Sequence, residues 1–313
     1  MAFTTNVGEN LIRGEVWSRE LKDILEDDLM AAGYVRWLTD FPDGEVFHIP
    51  SIGQATTYNY NEDEAVQYEA MDTGQFTFEI TEYLSSATYV TKKMMQDSFY
   101  TSELVSQFVP KQRRAIMEHV EKNVLALSNQ QVLGNPNTIN DADHRFFASG
   151  ADNIIVPEDF AKAKYGLRKA NVNLTNLVAI VDPATAYQLE TMTNLVNVSN
   201  NPQWEGIIES GMTTGMRFIK NVFGFDVYES TFLPEIASET IGGDTVTDGV
   251  ANVFFSAASD VQPFVGAWRQ MPEIDEEYNK DRQRYEYVTT ARYGTKLYRP
   301  ENLVTVISNP TVA

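Results

Sequence analysis

The chain has 313 residues, and 24 Lys and Arg stand against 44 Asp and Glu, a formal net charge of −20. With 43% hydrophobic and 12% aromatic residues it holds the material of a large core, which excludes wholesale disorder. So acidic a balance argues against a general basic face that wraps nucleic acid, because phosphate contact needs net Lys and Arg. The chain has no cysteine, so disulfides, thiolate metal sites and a cysteine nucleophile are excluded. The opening Met-Ala-Phe-Thr-Thr-Asn-Val lacks the basic and apolar regions of a signal peptide. The apolar runs, such as Leu177 to Val181, are strand-sized, so no membrane span is expected.

Residues 15–32 carry Val16, Trp17, Leu21, Ile24, Leu25 and Leu29 at helical spacing, and Phe41-Pro42-Asp43-Gly44 predicts the turn that closes this region. Val46 to Ile49 is strand-like, and Phe76, Phe78 and Ile80 alternate with Thr77, Glu79 and Thr81. The Tyr-rich segment 56–72 between them predicts a long extended β-hairpin. Seven acids and no Lys or Arg lie between Ser51 and Thr91. Such a ribbon does not fold alone and is expected to rest on something else.

Residues 98–131 form the longest helical pattern, with Leu104, Val105, Phe108, Ile116, Met117, Val120, Val124 and Leu125 on its apolar face. Pro110 is expected to kink or split it. Residues 134–155, rich in Asn, Asp and Gly, read as a loop. A helix follows from Pro157 to about Ala170, then the strand Leu177–Val181, then a helix capped by Asp182 with Pro183 in its first turn. Residues 193–216 read as loop. Strands are predicted at 218–222, 225–228, 250–255, 261–265, 285–291 and 303–307, with 237–249 a turn. No repeat is present.

Catalytic motifs are missing from the sequence: there is no phosphate-cradling Gly-x-x-x-x-Gly-Lys-Ser/Thr, Gly-x-Gly-x-x-Gly, His-Glu-x-x-His or Gly-x-Ser-x-Gly. Asp141-x-Asp143 starts like a calcium loop but continues with Arg145 at a ligand position and lacks the closing Glu. His144 reads as a loop residue and His119 as an exposed helix residue. Glu273, Asp275, Glu276 and Glu277 are the best candidates for the paired carboxylates of a hydrolase. Lys280, Arg282 and Arg284 follow closely, so a solvated or ion-paired surface is the favoured reading. Tyr58, Tyr60 and Tyr68 suit packing against a partner better than stacking on sugars or bases. No catalytic residue, metal site or cofactor is expected.

The order of these parts resembles the major capsid protein of tailed bacteriophages, with its Hong Kong 97-type fold. Val46-Phe47-His48-Ile49-Pro50 enters the hairpin and Phe76-Thr77-Phe78-Glu79-Ile80 leaves it. Val181-Asp182-Pro183 with Tyr187 and Leu189 resembles a strand-to-helix step of the family's axial domain. Gly224 to Ser230 with Leu233-Pro234 resembles the strand after its apical loops, and Arg292-Tyr293-Gly294 with Tyr298-Arg299-Pro300-Glu301 the family's ending. The resemblance implies an α+β fold made of an N-terminal arm (1–44), an extended-loop hairpin (45–91), a peripheral domain with a long spine helix (92–175), a mixed α/β axial domain (176–270), and return strands with a C-terminal strand (271–313).

It further implies a structural protein of the virion, assembled in the host cytoplasm as pentamers and hexamers of an icosahedral shell around double-stranded DNA, without sequence-specific binding or a membrane. A portal protein is an implied partner and a cement or decoration protein a candidate one. Some members carry a scaffolding region of their own before the hairpin; with roughly 45 residues there, a separate scaffolding protein is expected. Members that cross-link chemically use a hairpin lysine, and this hairpin has none. An encapsulin-like compartment of the same fold, and a β-rich hydrolase using Glu273–Glu277, remain alternatives. If the hairpin tip points away from its own spine helix, as in the family, its acids Glu62, Asp63, Glu64 and Glu69 are expected to meet bases of a neighbour: Arg113 and Arg114 on the spine, or Lys280, Arg282 and Arg284.

Overall fold

The computed structural model describes residues 29–38, 46–52, 57–59, 62, 65, 73–97, 101–129, 137–191 and 218–311. Most of the expected helix over 15–32, the turn at 41–44, most of the Tyr-rich segment and the loop at 193–216 lie outside them. At the described end of that range the chain forms a 3-10 turn, Ala31–Tyr34.

Two sheets and one long helix organise the chain. A seven-stranded mixed sheet runs β7 (Arg145–Phe147), β15 (Val304–Ser308), β12 (Asp244–Ser256), β8 (Leu177–Val181), β10 (Phe225–Glu229), β9 (Phe218–Val222), with β11 (Glu235–Ile241) also paired to β12. All five residues of β8 are buried, because both faces of this sheet are covered. Leu177, Ala179 and Val181 face α3 (Pro157–Lys169) and α4 (Pro183–Thr191), where Phe160, Phe225 and Phe254 meet edge to face with centroids 5.1–6.2 Å apart. Val178 and Ile180 face the other way, toward Val120, Val124 and Leu125 of α2 (Thr101–Ala126).

The four-stranded sheet runs β1 (Val35–Leu38), β13 (Phe264–Asn279), β14 (Arg284–Leu297), β4 (Glu82–Thr91). β13 and β14 form a long hairpin that starts against the first sheet at Phe264, Trp268 and Tyr293 and runs out from it. Pro272 cannot donate to a ladder, and it sits where the β13 register shifts between Gln270 and Glu273. The short α1 (Lys92–Asp97) joins β4 to α2.

Several expectations change. α2 runs through Pro110 as one helix, held by its buried half from Ile116 to Leu125. Phe108, assigned to its apolar face, is 50% exposed. Residues 137–153 are not all loop: β5 (Thr138–Ile139) pairs with β6 (Ala142–Asp143), and β7 lies parallel to β15. β7 and α3 thus pack in the seven-stranded layer, and Arg145 of β7 also donates to the Ser128 carbonyl just after α2. The turn at 237–249 shrinks to Gly242 and Gly243, both at positive φ, between β11 and β12. β4 pairs with β14, so the hairpin ladder proper ends at Glu79.

Candidate inter-subunit surfaces

The hairpin forms as its alternation predicts. β2 (Val46–Ile52) and β3 (Thr73–Glu79) pair antiparallel from Val46 opposite Glu79 to Ile52 opposite Thr73. Its root has a core: Phe78 is fully buried and Ile80 nearly so, against Val265 and Ala267. Phe76 meets Tyr298 edge to face at 5.1 Å, and Lys296 donates to the Thr77 carbonyl at 2.8 Å. A Cβ on Gly294 would lie 2.5 Å from the Glu79 carbonyl oxygen, so only glycine lets β14 come this close to the root. Above the root the ribbon is exposed, and Val46, Glu79, Ile80, Thr81, Tyr83 and Arg292 line a cleft of about 560 Å³ at its base.

The opposite end of β4 is basic. Arg284 lies opposite Thr91, and the Lys92 amide donates to the Gln283 carbonyl at 2.9 Å. The structure therefore joins the start of α1, with exposed Lys92 and Lys93, to the turn bearing exposed Lys280 and Arg282. Asn279 shapes that turn by accepting the Asp281 and Arg282 amides at 3.1 and 3.2 Å. Arg284 differs from its neighbours: it pairs with Glu286 and lies over the Tyr89 ring at 4.3 Å. The Arg284 hydrogen bond holds the Glu286 carboxyl below its ordinary pKa.

Hairpin root and basic turn are separated by the ten residues of β4, about 30 Å of strand. Of the tip acids Glu62 is described, and it is exposed; Asp63, Glu64 and Glu69 lie outside the described residues. On α2, Arg113 is exposed, while Arg114 pairs with Glu118 at 3.2 Å. Next to them on α2, Gln112 accepts a hydrogen bond from Thr289 of β14 at 3.1 Å, so this part of the helix packs on the four-stranded sheet.

The acids of β13 are strand residues. Glu273, Asp275 and Glu277 share one face and Glu276 takes the other, all exposed. Raising one carboxyl for acid catalysis needs an apolar pocket, which an open strand does not supply. His119 is exposed as expected, 3.0 Å from the Tyr293 hydroxyl. His144 lies in the bend between β6 and β7, as expected of a loop residue, but it is buried, its ring nitrogens 3.2 Å from the carbonyls of Ala142 and Glu301. Asp143 pairs with Lys162 at 2.9 Å. Among the described residues no group of His, Asp and Glu could hold a metal, and no helix is long and apolar enough to cross a membrane.

The described residues thus combine an exposed hairpin, a basic turn at the far end of β4 and a body of two sheets. A family model for the phage capsid protein matches residues 75–306, and the chain belongs to that family. Its fold is that of phage capsid subunits. It is similar to the capsid of cyanophage P-SCSP1u (TM-score 0.72, 15% identity, 96% of this chain and 94% of that one). It is similar also to that of cyanophage Pam1 (0.72, 12%, 99% of each) and to a chain of Mycobacterium phage Che8 (0.70, 17%, 95% and 97%). No curated protein sequence matches it. The chain is a structural major capsid protein with the Hong Kong 97-type α+β fold, and the hydrolase alternative is not favoured.

Proposed function

We propose that this chain performs no catalysis and builds the icosahedral shell of a tailed phage as pentamers and hexamers around double-stranded DNA. The family match over residues 75–306 carries the reading. A separate scaffolding protein guides assembly in the host cytoplasm, a portal protein occupies one vertex, and a cement protein is a further candidate partner. The net charge of −20 suits a container that must not trap its cargo on the wall. The subunit is divided into an N-terminal arm (1–44), an extended loop (45–91), a peripheral domain with the spine helix (92–175), an axial domain (176–270) and return strands (271–313).

Between subunits, the acidic hairpin tip at Glu62, Asp63, Glu64 and Glu69 meets bases of a neighbour, either Arg113 and Arg114 or Lys280, Arg282 and Arg284. The 30 Å separation of root and turn within one chain supports an intermolecular match. Co-expression with the scaffolding protein, followed by electron microscopy, tests the function. Closed shells of uniform size are expected. A monomer that stays dispersed at high concentration with its scaffold present overturns it.

A further inference from the structure

Glu121 is fully buried on α2, yet its carboxylate meets backbone amides of a segment about ninety residues away in sequence. Oε1 accepts the Met30 amide at 3.0 Å and the Ala31 amide at 2.6 Å, and Oε2 accepts the Ala32 amide at 3.0 Å. These donors open the 3-10 turn Ala31–Tyr34, whose first residues have no carbonyl of their own turn to bond, and Met30 supplies no side-chain cap. Ala31, Val35, Val120, Val124 and Leu125 enclose the contact in one apolar cluster. Just beyond it, the Trp37 indole donates to the Ala32 carbonyl at 3.1 Å and stacks on Trp268 at 5.0 Å. Residues 29–38 connect residues 1–28 to the hairpin.

We infer that Glu121 is a latch: a buried carboxylate on the long helix that holds the root of the N-terminal segment and fixes where the flanking chain leaves the subunit. The latch has two states. Docked, three N–H donors satisfy the carboxylate. Undocked, the carboxylate is left bare in an apolar cluster or draws water into it, and either costs far more than losing an exposed pair. Half-docked arrangements share that cost, so residues 30–32 leave or stay together. The latch follows from the geometry of one subunit and does not depend on the shell reading.

Amide hydrogen exchange on the full-length, unassembled subunit tests it. In the wild type, the amides of Met30 to Ala32 should be protected to a degree similar to those of Val120 to Leu125. Glu121→Gln turns an NH2 donor toward backbone donors. It should speed exchange at residues 30–32 by about tenfold or more while α2 keeps its protection. Glu118→Gln, at a half-buried position of the same helix that pairs with Arg114 and not with residues 30–32, should leave both unchanged. Free exchange at residues 30–32 in the wild type overturns the latch, and so does wild-type protection in Glu121→Gln. Equal loss along α2 also overturns it, because the segment would then have no separate equilibrium. The wild-type measurement decides even if Glu121→Gln fails to fold, and Glu121→Asp, one methylene too short for all three amides, gives a milder second variant.

Discussion

Asp182 combines two opposed effects in one carboxyl. It caps α4 by accepting the Ala184 amide at 2.9 Å, as the Asp-Pro step in the sequence indicates. Its pKa is nevertheless raised, because burial outweighs that hydrogen bond and Glu235 adds repulsion. A raised value means that the folded state holds the proton more tightly. Stability from this group is therefore full below the ordinary value of 3.8 and is lost as pH rises through the shifted one. Asp182→Asn keeps a capping oxygen and removes the desolvated charge, so it should match or exceed the parent's melting temperature at pH 7 and lose that advantage in acid. Asp182→Ala removes the cap and the same charge, so it should cost about 1 kcal/mol in acid and less at pH 7. Urea unfolding of the unassembled subunit at acid and neutral pH separates these outcomes.

Tyr293 is the residue-scale joint between the long helix and the four-stranded sheet. Its ring is fully buried, and its hydroxyl accepts from Asn123 Nδ2 at 2.7 Å and lies 3.0 Å from His119 Nδ1. Burial pushes the phenol pKa up, partly offset by the Asn123 hydrogen bond. The fold thus favours the neutral phenol, and this contribution is lost as pH climbs above the ordinary tyrosine value of 10.0. Tyr293→Phe retains the packing and drops the hydroxyl contacts, while His119 and Asn123 can reach water. The expected loss is about 1 kcal/mol, with a smaller decline in stability above pH 10 than in the parent, measurable by thermal melting. A loss of several kcal/mol would mean that the two polar side chains cannot rehydrate.

At the scale of elements, the hairpin separates a root that is part of the body from a ribbon that is not. Phe78 and Ile80 fill a cluster with Val265 and Ala267, so deleting the whole of 51–81 removes core as well as ribbon. A deletion of 53–72 closed by Asn-Gly leaves the β2–β3 ladder in place and should give a folded subunit that fails to form shells. Phe78→Ala should instead cost about 3–5 kcal/mol of subunit stability. Circular dichroism and electron microscopy on the two variants distinguish them, and normal shells from the 53–72 deletion would refute the ribbon's role. The alternation of Phe76, Phe78 and Ile80 and the unbroken apolar run of β8 made these strands legible, because burial on one face or both writes itself into the sequence. The outer half of β13 was not legible. Its acids are all exposed, and its strand is imposed by pairing with β14 rather than by burial. The β11–β12 hairpin hid in the same way, since Thr240 and Thr245 bond across it at 2.8 Å and both strands show water a polar side. Of the two expectations at Pro110, the split did not occur, because packing further along α2 outweighs one lost hydrogen bond.

At the scale of the whole molecule, charge is sorted along the chain's length. The 51–91 segment has acids alone, whereas Lys92, Lys93, Lys280 and Arg282 gather at the far end of β4. The order of these blocks was legible in the sequence; their convergence was not, because it depends on β14 returning past β4. Geometry also sorts the basic candidates. Arg284 already holds Glu286, and Arg114 already holds Glu118, so reversing either breaks a contact inside the subunit as well as any contact between subunits. Arg113, Lys280 and Arg282 are exposed and give cleaner tests. Each exposed pair contributes only about 0–1 kcal/mol, but a shell repeats it in every subunit, where it sets register more than affinity. If the tip meets the turn, Lys280→Glu with Arg282→Glu should slow shell assembly, and Glu62→Lys with Glu64→Lys in the same chain should partly restore it. If the tip meets the helix, Arg113→Glu should behave that way instead. Raised salt should slow wild-type assembly and blunt the difference between the variants, read by light scattering against time. Wild-type assembly in both reversal variants would show that these bases face water in the shell.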